Sequence, residues 1–193
     1  MEPDLSAFIL AGGKSTRMGT DKAFVLLDGR TLLAHMLDLA QKVTSNVHIV
    51  GDPAKFANFA PTIEDIFPGC GPLAGIHVAL RSSGTDLNIV LAVDVPFVSL
   101  ALLSYLVARA KNSDASVTLA QAAGGFQPLC AVYRRSFADV AEKALSGGRY
   151  KIDVLFDQTN TLIVGEEELE SAGFSPRIFR NLNDPQDLAA AQE

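Results

Sequence analysis

An apolar run that ends in glycines and cations constrains this chain more than any other stretch. Ala7-Phe8-Ile9-Leu10-Ala11 is long enough for a buried strand, and Gly12, Gly13, Lys14, Ser15, Thr16, Arg17, Gly19 and Lys22 follow directly. Glycine lets backbone come close to a ligand, and successive N–H groups can converge on an oxyanion. Arginine neutralises the charge as a planar fork and lysine as a mobile point charge. Lys14, Arg17 and Lys22 put three cations into nine residues, more than a plain glycine turn needs. The stretch therefore reads as a phosphate-holding loop. It is not a P-loop, because the glycine required five residues before Gly13 is Phe8. It is not a dinucleotide fingerprint either, because the glycines required after Gly12 are Lys14 and Arg17.

A chain of 193 residues is most simply one domain, residues 1–193, with room for a sizeable core. Its 48% apolar content is that of an ordered globular protein. The net charge of −6 argues against a nucleic-acid surface, since the cations gather in the first loop. Cys70 and Cys130 lie far apart and form no ligand pair, which fits reduced thiols in a cytoplasm. The acidic start, Met1-Glu2-Pro3-Asp4, is unlike a signal peptide, and no apolar run has the length of a membrane span.

Downstream, the pattern alternates strand and helix. Leu32, Leu33, Met36, Leu37, Ala40 and Val43 recur at helical spacing behind a capping Thr31. Val47–Val50 reads as a second strand stopped by Gly51-Asp52-Pro53, and a short helix is expected over Phe56–Phe59. Ile63-Glu64-Asp65 closes a brief strand, and a Gly/Pro-dense passage delivers the chain to a helix over Leu73–Arg81 with Pro72 in its first turn. Asn88–Val93 is the clearest buried strand, and Asp94 follows it directly. A carboxylate at the carboxyl end of a central strand sits where an open sheet binds ligands, and Asp is a hard ligand suited to Mg²⁺. A turn or cap is the plainer role for Asp94. Ser99 caps a helix over Leu100–Lys111. Strands over Ala115–Ala120 and Phe126–Tyr133 lie close enough to pair antiparallel, making the sheet mixed. A helix over Ser136–Leu145 stops at Gly147-Gly148. Arg149 and Lys151 then precede a short helix whose dipole they oppose, a hint of an anion nearby. Thr161–Val164 is a strand and Glu166–Ser171 an acidic, solvated helix. Asp184 and Pro185 start the last helix. In Asn181-Leu182-Asn183 the two amides share a face if the segment is extended, although a strand-to-helix turn explains them equally well. His35, His48 and His77 share no ligand spacing and read as structural.

Residues 10–22, LAGGKSTRMGTDK, resemble the nucleotidyltransferase signature, and within that group they are most similar to the molybdenum cofactor guanylyltransferases. GPLAG, VDVPF, PLCAVY and NLNDP follow in the order of that family and extend the resemblance over nearly the whole chain. The resemblance implies a three-layer α/β/α Rossmann-like nucleotidyltransferase fold with a mostly parallel mixed sheet. It implies transfer of GMP from GTP to the terminal phosphate of molybdopterin, with pyrophosphate leaving. Arg17, Lys22 and Asp94 would be catalytic, with Mg²⁺ on Asp94. Leu10, Ala11, Gly12, Gly13, Lys22, Asp52, Asp65 and Asp94 would contact the nucleotide, and Asn181 and Asn183 the pterin. The family usually carries an asparagine near the end of the second strand, where this chain has Gly51-Asp52. A CTP-dependent molybdopterin cytidylyltransferase, another small-molecule nucleotidyltransferase, or a non-enzymatic GTP-binding delivery module are the alternatives. An intact set of Arg17, Lys22 and Asp94 argues against the last. Molybdenum-insertion proteins or molybdoenzymes are the transient protein partners such a role implies, with no nucleic acid and no membrane.

Overall fold

The structure is a computed structural model, and it describes residues 4–12, 21–182 and 187. In chain order the strands are β1 (Leu5–Leu10), β2 (Leu26–Leu27), β3 (Arg30–Thr31), β4 (Asn46–Val50), β5 (Thr62–Ile63), β6 (Leu87–Ala92), β7 (Val117–Ala122), β8 (Gly125–Arg134) and β9 (Thr161–Val164). The helices are α1 (Leu32–Val43), α2 (Pro53–Phe56), α3 (Pro72–Ser82), α4 (Leu100–Lys111), α5 (Phe137–Ser146), α6 (Asp153–Phe156) and α7 (Glu166–Ser171). Two 3-10 turns, Lys22–Phe24 and Pro176–Phe179, complete the described elements.

Among the described residues seven strands form one sheet in the order β5-β4-β1-β6-β8-β7-β9. β4, β1 and β6 are mutually parallel, β5 follows β4, and β9 follows β7. Only β8 runs against its neighbours in this sheet. The sheet is mixed and mostly parallel, as expected, and β7 and β8 form the anticipated antiparallel hairpin.

β1 is buried along all six residues because it lies at the centre with helices on both faces. Its side chains alternate between two cores. Ala7 and Ile9 pack with α1 and α4, while Phe8 and Leu10 pack with α3 and α5. Each fully buried side chain of this size contributes about 1.5–3 kcal/mol, so the alternation fixes which face each helix must cover. That gives three layers. Thr31 caps α1 by accepting from the Ala34 amide at 3.2 Å, and Ser99 caps α4 by accepting from Leu102 at 3.2 Å.

Several boundaries differ from expectation. The short helix expected over Phe56–Phe59 lies instead at Pro53–Phe56, because Asp52 caps it through the Ala54 amide at 2.9 Å and proline suits the first turn. The apolar Ala23–Leu27 piece is a 3-10 turn followed by half of a small hairpin, β2–β3, since only two residues on each side pair. The acidic helix α7 is not purely solvated. Glu168 accepts from the Tyr105 hydroxyl at 2.7 Å and pairs with Arg109, and Glu166 accepts from the Ala123 amide at 2.7 Å. The Asp184–Pro185 helix start lies outside the described residues.

Candidate active site

Chain connectivity reverses at β1. The connection through α1 runs to β4 on one side, and the later connection through α3 leads to β6 on the other. In an open α/β sheet, such a reversal opens a crevice beyond the carboxyl ends of the two central strands. Those ends are Leu10-Ala11-Gly12 and Ala92-Val93-Asp94. Backbone hydrogen bonds continue past the strand ends and hold the crevice floor. The Val93 amide donates to Leu10 O at 3.2 Å, the Ala11 amide to Val50 O at 3.0 Å, and the Gly51 amide to Ile63 O at 2.9 Å.

Lys22 and Asp94 meet at this edge, with Lys22 Nζ 2.7 Å from Asp94 Oδ2 and both side chains about one-fifth exposed. Leu182 joins them from the far end of the chain. Its amide donates to the Asp94 carbonyl at 2.9 Å, and its side chain is fully buried. That contact brings exposed Asn181 to the same edge.

Two more expected contacts have local work in the fold. Asp52 caps α2, and Asp65, half-buried after β5, accepts from the Phe67 amide at 2.9 Å. Arg17, Gly13 and Asn183 lie outside the described residues. Arg149 and Lys151 are exposed on the connection between α5 and α6.

Two glycines explain themselves by close approach. A Cβ at Gly75 would stand 3.3 Å from the Leu10 side chain, so the second glycine of GPLAG lets α3 pack on β1. A Cβ at Gly51 would stand 2.9 Å from the Phe56 ring. A side chain at Gly51 would therefore require the buried Phe56 ring to shift.

Electrostatics away from the crevice are simple. Burial pushes the Cys130 thiol up to about 12 and drives the His77 imidazole below its usual 6.5. His35 Nε2 lies 2.9 Å from Leu27 O, and His48 stacks on Phe8 with ring centroids 5.2 Å apart. Among the described residues no three of His, Cys, Asp and Glu gather as a ready-made metal cluster, and no helix is long and apolar enough to cross a membrane.

The sequence reading passed over Lys55. It lies 2.8 Å from Asp21, the residue preceding Lys22, and 34 positions away from it in the chain. Nothing in its local sequence marks it, since an exposed lysine on a short helix is ordinary.

Comparison with known proteins agrees with this fold. A molybdenum cofactor guanylyltransferase of Desulfosudis oleivorans is 31% identical over 191 residues, covering 97% of this chain and 94% of its own. A probable molybdenum cofactor guanylyltransferase of Carboxydothermus hydrogenoformans is 32% identical over 185 residues, covering 95% and 93%. The crystal structure of molybdopterin-guanine dinucleotide biosynthesis protein A from Archaeoglobus fulgidus superposes with a TM-score of 0.84 at 29% identity, covering 97% of this chain and 96% of that one. The family model of the MobA-like NTP transferase domain matches residues 7–161, and the chain belongs to that family.

Proposed function

We propose that this chain is a molybdenum cofactor guanylyltransferase. It transfers GMP from GTP to molybdopterin in the cytoplasm. An oxygen of the molybdopterin terminal phosphate attacks the α-phosphorus of GTP, the bond from the α-phosphorus to its bridging oxygen breaks, and pyrophosphate leaves with that oxygen. The observation that carries this reading is the Lys22–Asp94 pair at the carboxyl ends of β1 and β6.

Such a reaction asks for little covalent chemistry from the protein. It must hold two anions together and stabilise charge that moves onto the leaving group. Lys22 supplies a mobile ammonium for that charge. Leu10, Ala11 and Gly12 present backbone to the nucleotide at the floor of the crevice. Asn181, carried to the same edge by Leu182, faces the acceptor. Arg17, Gly13 and Asn183 are assigned to the site from sequence alone.

Asp94 fits Mg²⁺ through the chemistry of its donor set. It offers one hard carboxylate at an edge where substrate phosphates would arrive, and Mg²⁺ is commonly bound by one or two carboxylates plus phosphates and water. When bound there, Mg²⁺ would neutralise triphosphate charge.

The test is direct. Purified protein is mixed with molybdopterin, Mg²⁺ and either GTP or CTP, and the dinucleotide and pyrophosphate are quantified. Guanine dinucleotide and equimolar pyrophosphate from GTP, with CTP inert, is the expected result. Turnover with CTP in preference to GTP overturns the guanylyl assignment, and turnover with neither overturns the transferase reading.

A further inference from the structure

The turn that carries Lys22 is docked on α2 at two points. Asp21 accepts from the Ala23 amide through Oδ1 at 3.2 Å, and its Oδ2 lies 2.8 Å from Lys55 Nζ. Two residues after Lys22, Phe24 stacks on Phe56 with centroids 5.7 Å apart and an interplanar angle of 24°. Phe24 also leans on Phe59, 6.0 Å away. Phe56 is 1% exposed and rests over Gly51 at the end of β4. The α2 helix is thereby continuous with the crevice floor. Asp52 caps its start, its ring presses on Gly51, and its lysine grips the residue beside Lys22.

We propose that Lys55 is a positioning residue for the transfer reaction, holding the Asp21–Phe24 turn so that the Lys22 ammonium meets the phosphates already aligned. Lys55 touches no reacting atom in this scheme and acts through Asp21. The inference rests on the guanylyl-transfer reading. A lysine on a long flexible stem has many rotamers, and fixing its backbone removes part of the entropy of aligning it. A small displacement of an aligned group is costly for rate, while an exposed ion pair adds little to global stability. Those two facts separate positioning from scaffolding. Loss of Lys55 touches the rate and leaves the melting temperature nearly unmoved.

The experiment compares wild type with Lys55→Gln and Lys55→Arg. The first readout needs no substrate: hydrogen exchange of the amides of Ala23, Phe24 and Val25. Faster exchange at these amides in Lys55→Gln, with α1 and β6 unchanged and protection restored in Lys55→Arg, is expected. The second readout is steady-state GMP transfer. Lys55→Gln is expected to lower kcat by up to about 5-fold, the most that an exposed ion pair of at most about 1 kcal/mol can contribute to alignment. Its KM for GTP is expected to stay within about twofold, because only alignment for transfer has changed. Lys55→Arg is expected to recover most of kcat. Unchanged exchange in Lys55→Gln overturns the proposal, and so does faster exchange with kcat intact. If the wild type itself transfers no GMP, the function reading falls, and the exchange data still show whether Lys55 holds the turn.

Discussion

Lys22 and Asp94 stand 72 residues apart in the chain, and their charged atoms lie 2.7 Å apart at the mouth of the central crevice. The pair joins the end of the first loop to the end of the central strand β6.

Lys22→Ala is expected to lower kcat/KM by about 2–4 kcal/mol of transition-state stabilisation, the scale of one lost electrostatic donor. Asp94→Ala is expected to abolish Mg²⁺-dependent turnover and keep the fold, because the contact that ties down Leu182 uses the Asp94 backbone carbonyl. Steady-state kinetics with circular dichroism checks both. Wild-type turnover in either variant removes that residue from the chemistry.

Gly51→Ala would drive a Cβ to 2.9 Å from the Phe56 ring. Overpacking of this kind costs about 1–3 kcal/mol. The shift also passes to the turn bearing Lys22, since Phe24 stacks on the same ring. The expected outcome is a lower urea midpoint together with weaker GTP binding. Gly51→Ala combined with Phe56→Leu should recover part of the stability. An unchanged midpoint in the single variant contradicts the packing.

His77 is 3% exposed on α3, with neither ring nitrogen hydrogen-bonded to a described residue. Burial lowers its pKa, Glu142 pulls the other way, Arg81 lowers it further, and Asp65 raises it. The unfolded chain then binds a proton more readily than the native one. The contribution of neutral His77 is fully present above pH 6.5 and is lost as pH falls from there toward the lower native value. Denaturant titrations between pH 7.5 and pH 5 (roughly the span in which such a group titrates) should show this loss in the wild type. A His77→Leu variant should show a flatter profile, and an equally steep one would clear His77.

Cys130 is buried, and its thiol is pushed up to about 12, so almost no thiolate forms near neutrality. Cys70 is half-buried in the Gly/Pro-dense passage before α3. Thiol titration of the native protein should therefore label Cys70 alone, with Cys130 reacting only after denaturant is added. Rapid native labelling at Cys130 would contradict its burial on β8.

Local physics made much of this protein readable in one dimension. Asn88–Val93 had to be a central strand because it is continuously apolar, and Thr31 and Ser99 had to cap helices because their hydroxyls can meet orphan amides. Asp94 stands out in sequence because it lies where a strand hands over to a loop, whereas its ion pair with Lys22, 72 residues away, is a product of the tertiary fold. What tertiary structure alone decided are contacts between residues that carry no local signal. Lys55 becomes meaningful only because α2 folds back onto Asp21. A side chain at Gly51 would meet the Phe56 ring, and ring placement depends on how α2 packs. Leu182 reaches Asp94 because an apolar side chain near the end of the chain finds the core beside β6. Burial and capping act over a few residues and can be seen in sequence, whereas the meeting of distant segments follows from the whole balance of packing.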